Sequence, residues 1–364
     1  MQYWIVNVII VFFAGVLFAR ILIPKILTIA FRRNLFDRSD ERKVDFGSIP
    51  RLGGLVFYPV ITFSLVLMMS FNLVLGHNEI LTILGDNPTP IIFLLCALLL
   101  LYLIGVIDDL VGVRYTTKFV FQILSSVLLI ISGIRITSLG GLLGLAELPM
   151  WLSWCATIFM ILFIVNAFNL IDGIDGLASG LSAITLFLYG IMLFIVGEYL
   201  YAFIAVGTLG VLVPFFYYNV FGKVEQHKKI FMGDTGSLTI GFILSLLFVK
   251  LLNVESTSSI TYSNQLLFIF SPLLIPCFDV VRVVIHRLRH HKNPFLADRN
   301  HIHHKLLALG LTARQAMIVI IISAIVLIIF NFVATKYINV HILLLFNITL
   351  YSILNIYLTH KIKQ

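Results

Sequence analysis

The chain predicts an all-α polytopic integral membrane protein, and three features lead there. Of its 364 residues, 60% are hydrophobic and only 12% charged, against roughly 25% charge in a soluble domain. Its apolar runs reach roughly 17–23 residues, enough to cross a hydrocarbon core of about 30 Å. Its charges gather in alternate loops instead of scattering.

The runs number about eleven and fall near 3–23, 53–75, 91–107, 118–134, 149–167, 177–197, 201–219, 237–252, 265–285, 316–335 and 341–359. The opening "MQYWIVNVIIVFFAGVLFARILIP" has no basic lead and no small-residue cleavage site, so it reads as a retained first span, not a signal peptide. The third run ends at Asp108 and Asp109. Glu198 is almost the only mark of a turn between the sixth and seventh runs. Cys96, Cys155 and Cys277 all lie in apolar runs; they read as small core residues and form neither a disulfide nor a zinc pattern. The whole of 1–364 reads as one membrane-embedded domain.

Alternation of loops sorts the charges. Most of the 25 Lys and Arg fall in loops near 24–52, 108–117, 168–176, 220–236 and 286–315 or at the C-terminus, and Arg135, Lys250 and Lys336 are left for the other side. By the positive-inside rule the basic side is cytoplasmic. The N-terminus is then expected outside and the C-terminus inside. The net charge of +8 is one-sided and suits anionic lipid head groups and phosphorylated ligands, not nucleic acid. The acids follow the bases: of 17 Asp and Glu, only Glu79, Asp86, Glu147, Glu198 and Glu255 fall on the other side. Basic residues inside are common to membrane proteins, whereas acids crowded among them are a pattern that needs a cause.

Five stretches on that side carry chemistry. "LIGVIDDLVGVRYTTK" ends a span in Asp108 and Asp109, which oppose the helix dipole there; a polar helix terminus is the bland alternative. "NAFNLIDGIDGLASG" spaces Asn166, Asn169 and Gly173 along one helical face and follows with Asp172 and Asp175. Amide plus carboxylate oxygen is the donor set of a hard cation, Mg2+ above all where phosphates complete the shell. The stretch lacks the spaced acids and terminal Glu of a calcium loop, so a plain glycine-rich turn is the alternative. "KKIFMGDTGSLTIGF" sets Asp234 between Gly233 and the hydroxyls of Thr235 and Ser237, either of which suits a helix N-cap. "HRLRHHKNPFLADRNHIHHKLLALGLT" holds His286, His290, His291, His301, His303 and His304 among Arg and Lys. It reads as a phosphate-binding surface in preference to zinc, for which one nearby carboxylate and no cysteine make a poor set. "ERKVDFGSIPRLGGL" offers Arg42, Lys43, Arg51 and a glycine pair to a phosphate, or is a solvated juxtamembrane loop. Carboxylates with amides, and His with Arg and Lys, on a face open to the bilayer point to phosphoryl transfer between a soluble nucleotide and a lipid phosphate. The rival class, a cation-coupled transporter, wants ionisable groups at mid-span.

Together "NAFNLIDGIDGL", "FMGDTGS", the Asp108–Asp109 pair and "HIHH" resemble the polyprenyl-phosphate N-acetylhexosamine-1-phosphate transferases of glycosyltransferase family 4, over nearly the whole chain. The "HIHH" form is similar to the branch that starts teichoic-acid, O-antigen and enterobacterial-antigen lipids; the branch that uses UDP-MurNAc-pentapeptide ranks second. The resemblance implies transfer of N-acetylglucosamine 1-phosphate from UDP-N-acetylglucosamine, or another UDP-N-acetylhexosamine, to undecaprenyl phosphate, with UMP released. It implies Asn169 and Asp234 as ligands of Mg2+, with Mn2+ as a substitute. It further implies catalytic roles for Asp108 and Asp109, and substrate binding by Lys43, Asp172, Asp175, His301, His303 and His304. Relatives often read "RKVH" where this chain has "RKVD", so Asp45 stands in place of a histidine. Apolar helix faces leave both a monomer and a homodimer open.

Overall fold

The structure is a computed structural model, and it describes residues 1–35, 49–85, 88–139, 142, 147–254, 265–291, 293 and 300–364. Lys43, with Arg42 and Asp45, lies outside the described residues. Among those described the protein is helical, without strands. Among the described residues, ten helices are long and apolar enough to cross a membrane. Tyr115–Ile131, of 17 residues, is a shorter apolar helix at the place of the fourth expected span.

The helices follow the apolar runs in order. They are α1 (Gln2–Arg32), α2 (Phe57–Val74), α3 (Thr89–Val111), α4 (Tyr115–Ile131), α5 (Met150–Ile171), α6 (Leu177–Ile195) and α7 (Tyr199–Phe216). After these come α8 (Gly233–Leu252), α9 (Gln265–Phe270), α10 (Leu274–Arg289), α11 (Ile302–Ala308), α12 (Ala313–Ala334) and α13 (Val340–Lys363). The turn expected at Glu198 is there, with Gly197 at φ 82°.

Two elements depart from expectation. The first helix does not stop near residue 23; it runs on through Pro24 to Arg32, into the stretch read as loop. The apolar sequence continues past the proline. Pro24 also keeps a use for its carbonyl, which accepts the Thr28 hydroxyl at 2.9 Å. Proline lacks the N–H that would reach the carbonyl four residues back, a loss that membrane spans tolerate. The ninth span is broken: α9 gives way to a 3-10 turn, Ser271–Leu273, before α10 begins. Pro272 opens that turn, since it has no N–H to continue an α-helical ladder.

α8 sits at the centre. Of its most apolar stretch 94% is buried, against 22% for α1 and for α13. A helix apolar on all sides belongs inside a bundle, and α3, α5 and α6 pack around this one. One continuous core of buried apolar residues runs from α1 to α12, while Phe13, Phe159, Ile329 and Ile356 show their side chains outward on the perimeter. Buried amides join neighbours: Asn72 donates to Asn7 at 2.6 Å between α2 and α1, and Asn331 and Asn347 exchange bonds between α12 and α13. Such pairs hold helices together in a medium that offers no water. The outcome that matters for chemistry is the alignment of the N-terminus of α8 with the C-termini of α3 and α5.

Candidate active site

The site is built on the first turn of α8. Gly233 has φ 70°, a conformation open to glycine, and a Cβ there would meet the Arg51 carbonyl at 2.2 Å and the Asp109 carboxylate at 2.6 Å. Gly54 is pressed still harder: its Cβ would fall 2.0 Å from the Gly236 nitrogen. The segment before α2 thus lies directly on the backbone of α8. Gly53 N donates to Phe231 O at 2.9 Å, Gly54 N to Met232 O at 2.8 Å, and Phe231 N to Pro50 O at 2.9 Å. The glycines in "RLGGL" and "GDTGS" are there for close backbone approach.

Asp109 closes this turn from another helix. Its carboxylate accepts Asp234 N at 2.8 Å, Thr235 N at 2.9 Å and the Thr235 hydroxyl at 2.5 Å. A helix N-terminus leaves N–H groups without intrahelical partners and favours negative charge; α3 supplies both needs. The expectation that Thr235 or Ser237 caps α8 is therefore corrected: Thr235 gives its hydroxyl to Asp109, and Ser237 donates to Gly233 O at 3.1 Å. The resemblance implies a catalytic Asp109; in the fold its carboxylate holds the first turn of α8.

Asp234 then projects from a fixed turn. Asn169 donates to it at 2.5 Å and to Ser237 Oγ at 2.8 Å, and Lys118 of α4 lies 3.2 Å away. The same Lys118 nitrogen is 2.5 Å from Asp108, whose other oxygen accepts Val113 N at 2.7 Å in the turn to α4. Asp108, Lys118, Asp234 and Asn169 thus form one connected set drawn from four helices. Asn166 does not join it. Its amide donates to Gln122 at 2.8 Å, tying α5 to α4.

The turn between α5 and α6 forms the opposite wall. Asp175 pairs with Lys229 at 2.6 Å. Gly176, at φ 77°, donates its N–H to Asn219 at 2.7 Å, and Asn219 in turn donates to Ile230 O at 2.9 Å. Asn219 sits in a π-helical turn, Tyr217–Phe221, at the end of α7, a distortion frequent at functional sites. The sequence reading passed it over; an amide at the inner end of an apolar run was the available signal. Between the walls is a cleft of about 300 Å³, lined by Arg51, Asn169, Asp172, Asp175, Asn219 and Asp234 among others. Asp172 has its carboxyl pushed up to about 7, by burial first and then by the charges of Asp234, Asp175 and Asp109, with Arg51 opposing.

The histidine loop reaches this turn. A Cβ on Gly173 would lie 2.1 Å from His303 Nε2. His303 is 1% exposed, and neither of its ring nitrogens has a hydrogen-bond partner. Burial, with His304 and His301 beside it, pushes its pKa down to about 3, so the ring is neutral at physiological pH. His301 and His304 flank it, at ring-centroid distances of 5.7 and 4.2 Å. Sequence reasoning also missed Asp279 of α10, fully buried and bonded to His301 Nδ1 at 2.7 Å.

Among the described residues, no three His, Cys, Asp or Glu side chains surround one point as a metal cage. The donor set suits a hard cation held by one carboxylate and one amide, with phosphate oxygens supplying the rest. Asp234 and Asn169 fit that description, and the neighbouring acids outnumber the bases.

Residues 91–252 match the family model of glycosyl transferase family 4. The chain is 30% identical over 313 residues to the undecaprenyl-phosphate alpha-N-acetylglucosaminyl 1-phosphate transferase of Salmonella typhi, covering 85% of this chain and 79% of that protein. It is 29% identical to the protein of the same description from Escherichia coli strain K12, over 81% of this chain and 75% of the other. A probable undecaprenyl-phosphate N-acetylglucosaminyl 1-phosphate transferase of Bacillus subtilis strain 168 is also 29% identical, over 86% and 81%. With the acidic cleft and these matches together, the chain belongs to glycosyl transferase family 4 and is a membrane-embedded phosphoglycosyl transferase.

Proposed function

We propose that the protein transfers N-acetylglucosamine 1-phosphate from UDP-N-acetylglucosamine to undecaprenyl phosphate, on the cytoplasmic face of a bacterial inner membrane, with Mg2+. The single observation carrying this reading is the direct contact of Asn169 with Asp234, two residues from separate motifs, at the floor of an acid-lined cleft. The names of the relatives support the substrates, and the one-sided basic loops support the orientation.

The acceptor phosphate is already anionic at neutral pH, so repulsion between two anions is the main obstacle, more than proton removal. Asp234 and Asn169 would hold Mg2+, which when bound supplies charge neutralisation of the diphosphate. Lys118 and Lys229 sit beside the acids at the cleft walls and add positive charge to orient phosphates. A lipid phosphate oxygen attacks the β-phosphorus; the bond from that phosphorus to the bridging oxygen breaks, and UMP leaves with the electron pair. Asp108 is engaged by Lys118 and by Val113 N, which favours direct attack over an aspartyl-phosphate route. Trapping a phospho-enzyme without lipid acceptor would reverse that preference.

The test is UMP release by purified protein supplied with UDP-N-acetylglucosamine and undecaprenyl phosphate. Release that requires both the lipid and a divalent cation is expected, and none under any condition would end the reading. Product mass after incubation with UDP-N-acetylglucosamine, UDP-N-acetylgalactosamine and UDP-MurNAc-pentapeptide identifies the sugar.

A further inference from the structure

Asp279 is the most completely buried acid beside the site, and nothing in the phosphoryl transfer itself calls for it. It is 0% exposed. Its two oxygens accept four groups: His301 Nδ1 at 2.7 Å, Ile302 N at 3.1 Å, Arg282 at 2.9 Å and the Tyr351 hydroxyl at 3.0 Å. An isolated carboxylate would not survive such burial, whereas one that is paired and fully hydrogen-bonded does. The partners come from three places: α10 itself, the start of α11, and α13. Arg282 also donates to the Asn300 carbonyl, so both ends of the "NHI" junction are tied to one anion. A carboxylate accepts only, so His301 carries its hydrogen on Nδ1, and Nε2 is the end left for a ligand.

The consequence passes to His303. The rings of His301 and His303 are nearly parallel, at 5° with centroids 5.7 Å apart. His303 packs against Gly173 with both nitrogens unpartnered, an arrangement that costs free energy unless a ligand uses them. Lys305, one turn on, is clamped to α13 by its bond to Thr359 at 2.8 Å. The last helix, mostly exposed elsewhere, thus braces the histidine loop through Tyr351 and Thr359.

We propose that Asp279, braced by Arg282 and by Tyr351 of α13, is a positioning residue for the donor. It fixes His301 and, through the stacked ring, seats His303 against the Asp172–Asp175 turn, so that the donor's sugar diphosphate meets two oriented imidazoles. This rests on the transferase reading above, and it adds that donor recognition depends on the final helix while acceptor recognition does not.

Asp279→Asn and Tyr351→Phe in the full-length protein test it, with KM for UDP-N-acetylglucosamine and for undecaprenyl phosphate measured separately and donor binding followed by calorimetry. Asp279→Asn should lower kcat/KM for the donor roughly 10–100-fold, the usual size for the loss of such an outer partner, and weaken donor binding in step. KM for the lipid should stay within about twofold, since uniform damage would shift both. Tyr351→Phe, which removes one of the four bonds, should act in the same direction by a few-fold. Equal losses for donor and acceptor, or no loss in either variant, would overturn the proposal. If Asp279→Asn does not fold, Tyr351→Phe decides by the same split. Wild-type protein that releases no UMP would remove the transferase reading and this inference with it. Wild-type activity with an unselective Asp279→Asn would remove only the inference.

Discussion

The two ends of α8 treat charge in opposite ways. Asp234 and Lys250 are 16 residues apart on one helix, about 24 Å at 1.5 Å per residue. At the far end Lys250 meets Glu198 at 2.8 Å and lies 4.8 Å over the Tyr201 ring. One base answers one acid, and the pair asks for nothing more. At the near end Asp108, Asp109, Asp172, Asp175 and Asp234 share Lys118, Lys229 and Arg51. There the acids are in excess, and one of them, Asp172, is pushed toward neutrality by burial and by the acids around it. Balanced charge at a membrane end serves architecture. Unbalanced charge held rigid by neighbouring helices has to be completed by something that arrives.

The comparison is open to attack from its strongest point downward. Asp234→Asn should reduce UMP release by at least about 10³-fold, about 4 kcal/mol of barrier, while leaving the thermal unfolding midpoint nearly unchanged. A variant with substantial activity would mean that the acid excess is not the site. Asp108 and Asp109 should then separate. Asp109→Ala strips the cap from α8 and should cost roughly 1–3 kcal/mol of stability, with activity lost alongside. Asp108→Asn should lose activity with a smaller change in stability. Unfolding curves in detergent, read beside turnover, distinguish the two. Gly54→Ala places a methyl against the Gly236 backbone and should destabilise by about 1–3 kcal/mol, again measured by thermal unfolding.

A smaller effect concerns pH. Asp172 titrates near 7 in the fold instead of at 3.8. A raised carboxyl pKa disfavours folding as pH climbs through that window, because the unfolded chain ionises first. For binding the sign is reversed: the negative charge is present above pH 7 and fades below it. Affinity for Mg2+ with donor should therefore fall by up to about tenfold per unit as pH drops below 7, and Asp172→Asn should flatten that slope in a calorimetric titration. The smallest effect belongs to the far end. Glu198→Gln should change stability by under about 1 kcal/mol and turnover by less than twofold; a large loss of activity there would break the contrast between the ends.

Much of this was legible in the chain. The apolar runs located the spans, and Glu198 located even the short turn between the sixth and seventh of them. "NAFNLIDGIDGL" and "FMGDTGS" marked Asn169 and Asp234, because amides and acids at the ends of apolar helices have few structural reasons to be there. What escaped was partnership. Asn166 and Asn169 share a helical face by spacing, yet one turns to Gln122 and the other to Asp234. Asp108 and Asp109 are adjacent, yet one joins the Lys118 network and the other caps a distant helix. Asp279 went unnoticed because a lone acid in an apolar run gives no local sign of the four groups that converge on it.

By itself the sequence determined where the chain enters and leaves the apolar phase and which residue types stand at those borders, since hydropathy and helical period are local properties. The tertiary structure alone decided which polar groups meet. Asp234 takes one partner 125 positions away and another 65 away, and those contacts depend on how α3, α5 and α8 cross. Helix crossings are set by packing over whole faces, and no short window of sequence contains them.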